Sequence, residues 1–267
     1  MRNEFMTERD GPLISVIVAV YNGAETIERL LLSVANCAYP HIDLIIMDGG
    51  SSDGTLEVLK KYETYIKCWR SEKDNGIYDA LNKAISLCEV GSYVLVLGAD
   101  DQLLELQPII NSIIQHKADV FVTNVQQKNI ESGVTVPYKC FLPTAIDNFN
   151  FLSFPFHHQG FIFRLFDSKI QKFHPELGLH SDYEFMARML HTSNRSVFVD
   201  TLLSEYSTGG ASDYFALKNL KSLNNVASFL GLSRFKIIII SPLKFFRMLF
   251  KLVIPISGID FLRKLFR

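Results

Sequence analysis

Three short apolar runs, each stopped by polar turn residues, constrain this chain more than any other feature. LISVIVAV (13–20) ends at Tyr21-Asn22-Gly23, IDLIIMD (42–48) ends at GGSSDG, and SYVLVLGADD (92–101) ends on two aspartates. Runs of this length, rich in Val, Ile and Leu, are typical of strands buried on both faces. Between them lie segments whose apolar residues recur at helical spacing: AETIERLLLSVAN (24–36), TLEVLKKYE (55–63) and IYDALNKAISLC (77–88), with a short third strand expected over 65–69. Strands alternating with helices in this way predict an α/β fold, a mostly parallel sheet with right-handed crossovers. Past residue 102 the pattern weakens to one strand-like run at 119–125, aromatic loops and a helix near 182–191. The spacing predicts one domain over residues 11–230 and a separate tail over 231–267.

Composition narrows the function classes. With 267 residues, 48% of them apolar, the chain can bury a full core without a disulfide or metal staple. Its four cysteines, Cys37, Cys68, Cys88 and Cys140, lie far apart with no CxxC pair, which argues against a zinc ribbon or a disulfide framework and for a reducing, cytosolic compartment. The first twelve residues mix charges and hold no apolar stretch, so no signal peptide is expected.

The formal net charge of −1 hides an asymmetry: the last 34 residues carry eight basic side chains against Asp260 alone, and the remainder carries 19 basic against 27 acidic. An acidic body speaks against nucleic acid as a partner. The tail segment IIIISPLKFFRMLFKLVIPI (237–256) is long enough to span a bilayer. However, Lys244, Arg247 and Lys251 fall on one helix face among Leu, Phe, Met, Val and Ile. That pattern predicts an amphipathic helix lying on an anionic membrane surface, on the cytoplasmic side. The plain alternative is a helix packed on the domain or on a second subunit.

Open parallel sheets bind ligands beyond the carboxyl ends of their strands. Here those ends supply Tyr21-Asn22, Asp48-Gly49-Gly50 and Asp100-Asp101. Asp and Asn also start turns and cap helices for purely local reasons. Two adjacent acids after an apolar strand are harder to dismiss, because they repel unless a cation or ligand offsets them. Carboxylates of this kind suit Mg²⁺ or Mn²⁺ held together with substrate phosphates. There is no GxxxxGK[ST], no GxGxxG after the first strand and no GxSxG, so a P-loop NTPase, a dinucleotide-binding Rossmann domain and an α/β-hydrolase lack support.

The ordered set SVIVAVYNGAETIERLLLSV, DLIIMDGGSSDGTLEVL, DNGIYDALNKAI and YVLVLGADD resembles the family 2 inverting glycosyltransferases of GT-A fold, most closely over residues 13–104. The likeness continues through HHQGFIFR (157–164) and SDYEFMARM (181–189). It implies a nucleotide-diphosphate sugar donor, UDP-linked by preference. Ala19, Val20 and Tyr21 match the strand end that holds base and ribose. Glu25 would reach the base, or simply favour the start of its helix. Asp48 matches the acid that accepts a hydrogen bond from the base. Lys73 would meet the diphosphate, or be an ordinary surface lysine. Asp79 and Asn82 share a helix face and would line the donor pocket or order the loop above it.

The family's DxD metal motif falls here on Ala99, Asp100 and Asp101, so its first acid is missing. The match assigns the divalent metal, Mn²⁺ or Mg²⁺, to Asp101, and the ribose or a metal-bound water to Asp100. Inversion by single displacement needs one general base. The family places an Asp at the start of a late helix, commonly after a Glu. In this chain the pair reads Ser181-Asp182, which makes Asp182 the expected base and Glu184 the fallback, with helix capping as the plain alternative.

Adjacent residues on a strand face opposite ways. Of His157 and His158, one is therefore expected to meet the diphosphate or acceptor and the other to be buried. The glycine-rich stretch 207–212 would be a lid or an ordinary loop. The resemblance implies transfer to a glycan or polyprenyl-diphosphate-linked acceptor in bacterial surface-polysaccharide synthesis. A sugar nucleotidyltransferase and a non-catalytic membrane-bound partner keeping the fold are the alternatives.

Overall fold

The computed structural model describes residues 11–129, 132–142 and 155–207, and positions 222, 225 and 226. The tail expected at 231–267 and residues 208–212 of the glycine-rich stretch lie outside the described residues. Among the described residues, no helix is long and apolar enough to cross a membrane.

The expected alternation is present. Strand β1 (Ile14–Val20) is followed by helix α1 (Ile27–Ala35), β2 (Ile42–Asp48), α2 (Thr55–Lys61), β3 (Cys68–Ser71), α3 (Ile77–Leu87) and β4 (Tyr93–Gly98). The third strand starts later than expected, because residues Glu63–Tyr65 form a 3-10 turn. Then come β5 (Gln102–Leu103), α4 (Gln107–His116), β6 (Val120–Lys128), β7 (Thr135–Tyr138), β8 (Phe161–Arg164), α5 (Ser181–Thr192) and β9 (Ser196–Ser207).

The sheet runs in the order β3-β2-β1-β4-β8-β6-β9-β5, with β7 beside β6. Its first four strands are all parallel. Strand β8 is antiparallel to both β4 and β6, and β9 returns parallel to β6 with a bulge on β9 opposite Thr123–Val125. Register aligns the strand ends: Val20 pairs Asp48, Asp48 pairs Ser71, and Ala19 pairs Gly98.

Strand β1 is buried on both faces. Ile14, Val16, Val18 and Val20 point into a cluster with α1 and α4, and Ile17 points into a second cluster with α3 and α5. Helix α1 meets the first cluster with Ile27, Leu30, Leu31 and Val34, a single stripe at 3.6-residue spacing. Helices α3 and α5 cover the other face through Ala80, Leu81, Ala84, Ile85, Phe185, Met186 and Met189. Phe185 stacks on Phe173 at 4.3 Å and meets Phe163 edge-on at 4.9 Å. Removing so buried a ring leaves a cavity. Phe185→Ala is therefore expected to destabilise the fold by about 3–5 kcal/mol in urea unfolding. A loss below about 1 kcal/mol would mean that this cluster does not anchor α5.

Candidate active site

Two loops at the sheet edge are bound together by hydrogen bonds. Asn22 sits at φ 50°, a left-handed conformation that Asn tolerates better than most residues. Its amide donates to Ser51 Oγ at 2.7 Å, and its Oδ1 accepts from the Ser52 amide at 3.0 Å. The Gly23 amide donates to Thr55 Oγ1 and the Ala24 amide to Asp53 Oδ2. The Thr55 hydroxyl, with the Ala24 amide, holds the Asp53 carboxyl below its usual range.

Asp48, 1% exposed, organises this loop from within. Its Oδ2 accepts from the Gly50 and Ser51 amides at 3.1 and 3.0 Å and from Ser71 Oγ at 2.6 Å, and the Ser51 hydroxyl donates to Oδ1. Oδ2 is thus saturated, and only Oδ1 keeps capacity for a further donor. Tyr21 is 67% exposed and lies over Gly49, and Ala19 is half-buried beneath this end of β1. Glu25 and Lys73 are exposed and make no hydrogen bond or ion pair among the described residues.

Asp79 turns back on its own loop: its Oδ2 accepts from the Asn75 amide at 3.0 Å and faces Lys83 at 3.4 Å, and these partners, the amide first, lower its pKa. These contacts tie it to the loop at Asn75. Asn82 is engaged elsewhere, with both ends of its amide on the Phe173 backbone at 3.0 and 2.7 Å.

The second group forms past β4. Asp101 is 2% exposed and accepts the Gly98 amide at 2.6 Å. Burial pushes its carboxyl up to about 7; the Gly98 amide opposes this and the charge on Asp100 adds to it. Both carboxylates close on Gly98, where an added Cβ would stand 3.0 Å from Asp100 Oδ1 and 3.1 Å from Asp101 Oδ2. Arg29 of α1 clamps this turn from behind, donating to the Asp100 carbonyl and to Ser207 Oγ at 3.1 Å.

Asp182, in the first turn of α5, completes the arrangement. Its Oδ2 lies 3.3 Å from His158 Nδ1, while Oδ1 accepts from the Tyr183 amide at 3.0 Å and lies 3.2 Å from the Tyr78 hydroxyl. Burial disfavours a charged His158 ring, but Asp182, Asp101 and Asp100 outweigh it and raise the pKa. One imidazole thus sits within the fields of all three acids.

His157 faces the other way, stacked on Tyr206 at 4.6 Å and edge-on to Tyr138 at 4.5 Å. The two histidines do face different ways, but from a 3-10 turn at His158–Gly160 rather than from a strand, and His158 meets the acids. The fallback base Glu184 is overturned: it is 0% exposed and bound to Arg188 Nε at 2.6 Å, inside the packed side of α5. Ser181 Oγ holds the His174 amide at 3.0 Å, so a larger acid could not take its fully buried position without repacking.

Among the described residues, no three His, Cys, Asp or Glu side chains gather as a metal-ligand group. The two acids at Gly98 still fit a hard divalent cation, since Mg²⁺ and Mn²⁺ commonly take one or two carboxylates and complete their shell with phosphates and water. Asp101, whose carboxyl burial pushes up to about 7, is a group that such a cation would ionise.

Comparison with known proteins gives the family. The model for glycosyl transferase family 2 matches residues 15–175. The chain belongs to that family. Over 94 residues it is 38% identical to the putative teichuronic acid biosynthesis glycosyltransferase TuaG of Bacillus subtilis, covering 34% of this chain and 37% of that protein. Over 97 residues it is 33% identical to a PGL/p-HBAD biosynthesis glycosyltransferase of Mycobacterium tuberculosis, covering 35% and 38%. The matched segments thus span well under half of these relatives.

The fold is that of S. aureus TarS residues 1–349 in complex with UDP-GlcNAc: TM-score 0.63, 20% identity, 89% of this chain and 71% of that one. It is also that of the mannosyltransferase PcManGT from Pyrobaculum calidifontis in complex with GDP-Man and Mn²⁺: TM-score 0.62, 15% identity, 95% and 79%. These likenesses establish the GT-A fold expected from the family 2 motifs.

His157 yields a stability prediction. Burial lowers its pKa from 6.5 to about 4, so the unfolded chain binds the proton first as pH falls. Its contribution is complete above pH 6.5 and is lost as pH falls toward 4. Melting temperatures of His157→Phe should therefore fall less steeply than those of the parent across that window. Parallel curves would show that the ring is not buried neutral.

Proposed function

We propose that this family member is an inverting glycosyltransferase that moves a sugar from a nucleotide-diphosphate donor, UDP-linked by preference, to a glycan or polyprenyl-diphosphate-linked acceptor in bacterial polysaccharide synthesis. The observation that carries the proposal is the placement of Asp182 beside the Asp100-Asp101 turn, across the His158 ring. A displacing base and a leaving-group site must face each other across one anomeric carbon, and on this reading Asp182 and the Asp100-Asp101 turn take those two roles.

The donor lies over the aligned ends of β1, β2 and β4, with its base and ribose near Ala19, Tyr21, Asp48 and Glu25. Lys73 and His158 stand on the diphosphate side. Asp101, with Asp100 beside it, would hold Mn²⁺ or Mg²⁺, whose chemistry is to neutralise charge on the departing nucleoside diphosphate. Asp182 takes the proton from the acceptor hydroxyl. The acceptor oxygen bonds to the anomeric carbon from the face opposite the diphosphate. The old carbon–oxygen bond breaks, and its electron pair leaves with the nucleoside diphosphate. The names of TuaG and the PGL/p-HBAD enzyme, and the nucleotide sugars bound by TarS and PcManGT, support this reading.

Calorimetric titration of UDP, GDP and dTDP with and without Mn²⁺ tests the donor site. One nucleotide should bind at micromolar Kd with metal and lose at least about tenfold in affinity in Asp101→Ala. Asp182→Asn should keep that binding and lose about 10²–10⁴-fold in turnover, the usual worth of a general base. Full activity in both variants would overturn the assignment.

We further propose that residues 11–230 form the catalytic domain. The basic, apolar 231–267 segment would then hold it peripherally on an anionic membrane at the cytoplasmic face, where a lipid-linked acceptor would be found. The full chain should sediment with vesicles containing phosphatidylglycerol and be released by raised salt, and a chain ending at 230 should stay in solution. Equal sedimentation of both would overturn the role given to the tail.

A further inference from the structure

Helix α3 stands between the two halves of the site. On one side Asp79 fastens the turn at Asn75, where Gly49 closes against Asp74. On the other side Tyr78 lays its ring near Phe173, centroids 5.3 Å apart, and points its hydroxyl at the start of α5. That hydroxyl lies 2.7 Å from the Leu179 carbonyl and 3.2 Å from Asp182 Oδ1. A phenol has one hydrogen, so the two acceptors share it. One turn further along α3, Asn82 pins the Phe173 backbone with both ends of its amide. The segment between Phe173 and Asp182 is therefore fastened to α3 at both ends.

The two oxygens of Asp182 are held unequally. Oδ1 is shared by Tyr78 and the Tyr183 amide, whereas among the described residues Oδ2 meets only His158, at 3.3 Å. That separation is longer than a close charge-assisted hydrogen bond, so Oδ2 is the oxygen left able to receive a proton. We propose that Tyr78 is the positioning residue for Asp182: its hydroxyl fixes Oδ1, aims Oδ2 at the acceptor, and ties that aim to the helix that also carries the donor-side loop. This rests on the reading of Asp182 as the base. Placement matters at this scale, because an error of about 1 Å in a reacting group costs on the order of 10²-fold in rate.

Tyr78→Phe keeps the ring against Phe173 and removes only the hydroxyl. In the full chain, turnover is read as nucleoside diphosphate released from UDP-N-acetylglucosamine, UDP-glucose and GDP-mannose, with water as acceptor. We expect kcat to fall by about tenfold or more, with donor KM within about twofold. In an Asp182→Asn background the same change should cost nothing further, because Tyr78 acts only through that carboxylate. An unchanged kcat, or an equal second loss on top of Asp182→Asn, overturns the positioning role. Full turnover by Asp182→Asn alone, or none by the parent chain, overturns instead the reading on which it rests. If circular dichroism shows that Tyr78→Phe is unfolded, 3,5-difluorotyrosine at position 78 keeps the shape while strengthening the donor. An unchanged kcat with that residue also overturns the proposal.

Discussion

Everything in this site depends on β1 being paired in parallel on both sides. A strand hydrogen-bonded to β2 and β4 in one direction brings three carboxyl ends to one edge, and the register sets Val20 against Asp48 and Ala19 against Gly98. Because side chains alternate faces, a slip of one residue would turn Ile14, Val16, Val18 and Val20 out of one core and Ile17 out of the other. The apolar contacts that hold the sheet thus also fix which polar loops meet. The Tyr21–Ala24 and Gly49–Thr55 loops lie close enough to zip together because their strands end in register.

The second half of the site reaches the same edge by a different route. Strand β8 runs antiparallel to β4, so its start, rather than its end, lies at the carboxyl edge. The residues just before it, His157 and His158, therefore sit beside the Asp100-Asp101 turn. Gly160 is needed at that point: an added Cβ would come within 2.7 Å of the Thr123 carbonyl. Ser204, on β9, completes the support by donating to the Gln159 carbonyl at 2.7 Å.

The legible part of this protein was its parallel half, because there one signal, the two-faced apolar strand, sets both the fold and the ends that matter. Strands β1, β2 and β4 and helices α1 to α3 follow from it closely. The antiparallel half was harder. Helix α4 has four isoleucines within QPIINSIIQH, and β-branched residues blur helical spacing; Pro108 in its first turn was the available start signal. Strand β8 is four residues long, and β9 carries the extra residues of a bulge, so neither shows clean alternation. In the candidate site, the place of Asp182 at the start of a helix could be read from the sequence, but the contacts of Tyr78 and Arg29 could not. Each lies on a helix whose apolar stripe explains the local sequence, and each acts through a tertiary contact: Tyr78 with a residue 104 positions away, Arg29 with one 71 away.

Charge decides how such a site can receive its substrate. Asp100, Asp101 and Asp182 bring three carboxyls to one edge, and among the described residues His158 is the one cation that faces an oxygen of any of them within 4 Å. Arg29 does not add to this, since its guanidinium is spent on the Asp100 carbonyl and on Ser207. A nucleoside diphosphate adds negative charge to an edge that is already acidic. Burial answers part of that by raising the Asp101 carboxyl to about 7, but a protonated acid gives a phosphate no positive partner. On the proposed reading, therefore, the alanine at 99 removes one repulsive charge without changing the sign of the site. A divalent cation that displaces the Asp101 proton still links acid to phosphate, and two carboxylates serve that purpose as well as three.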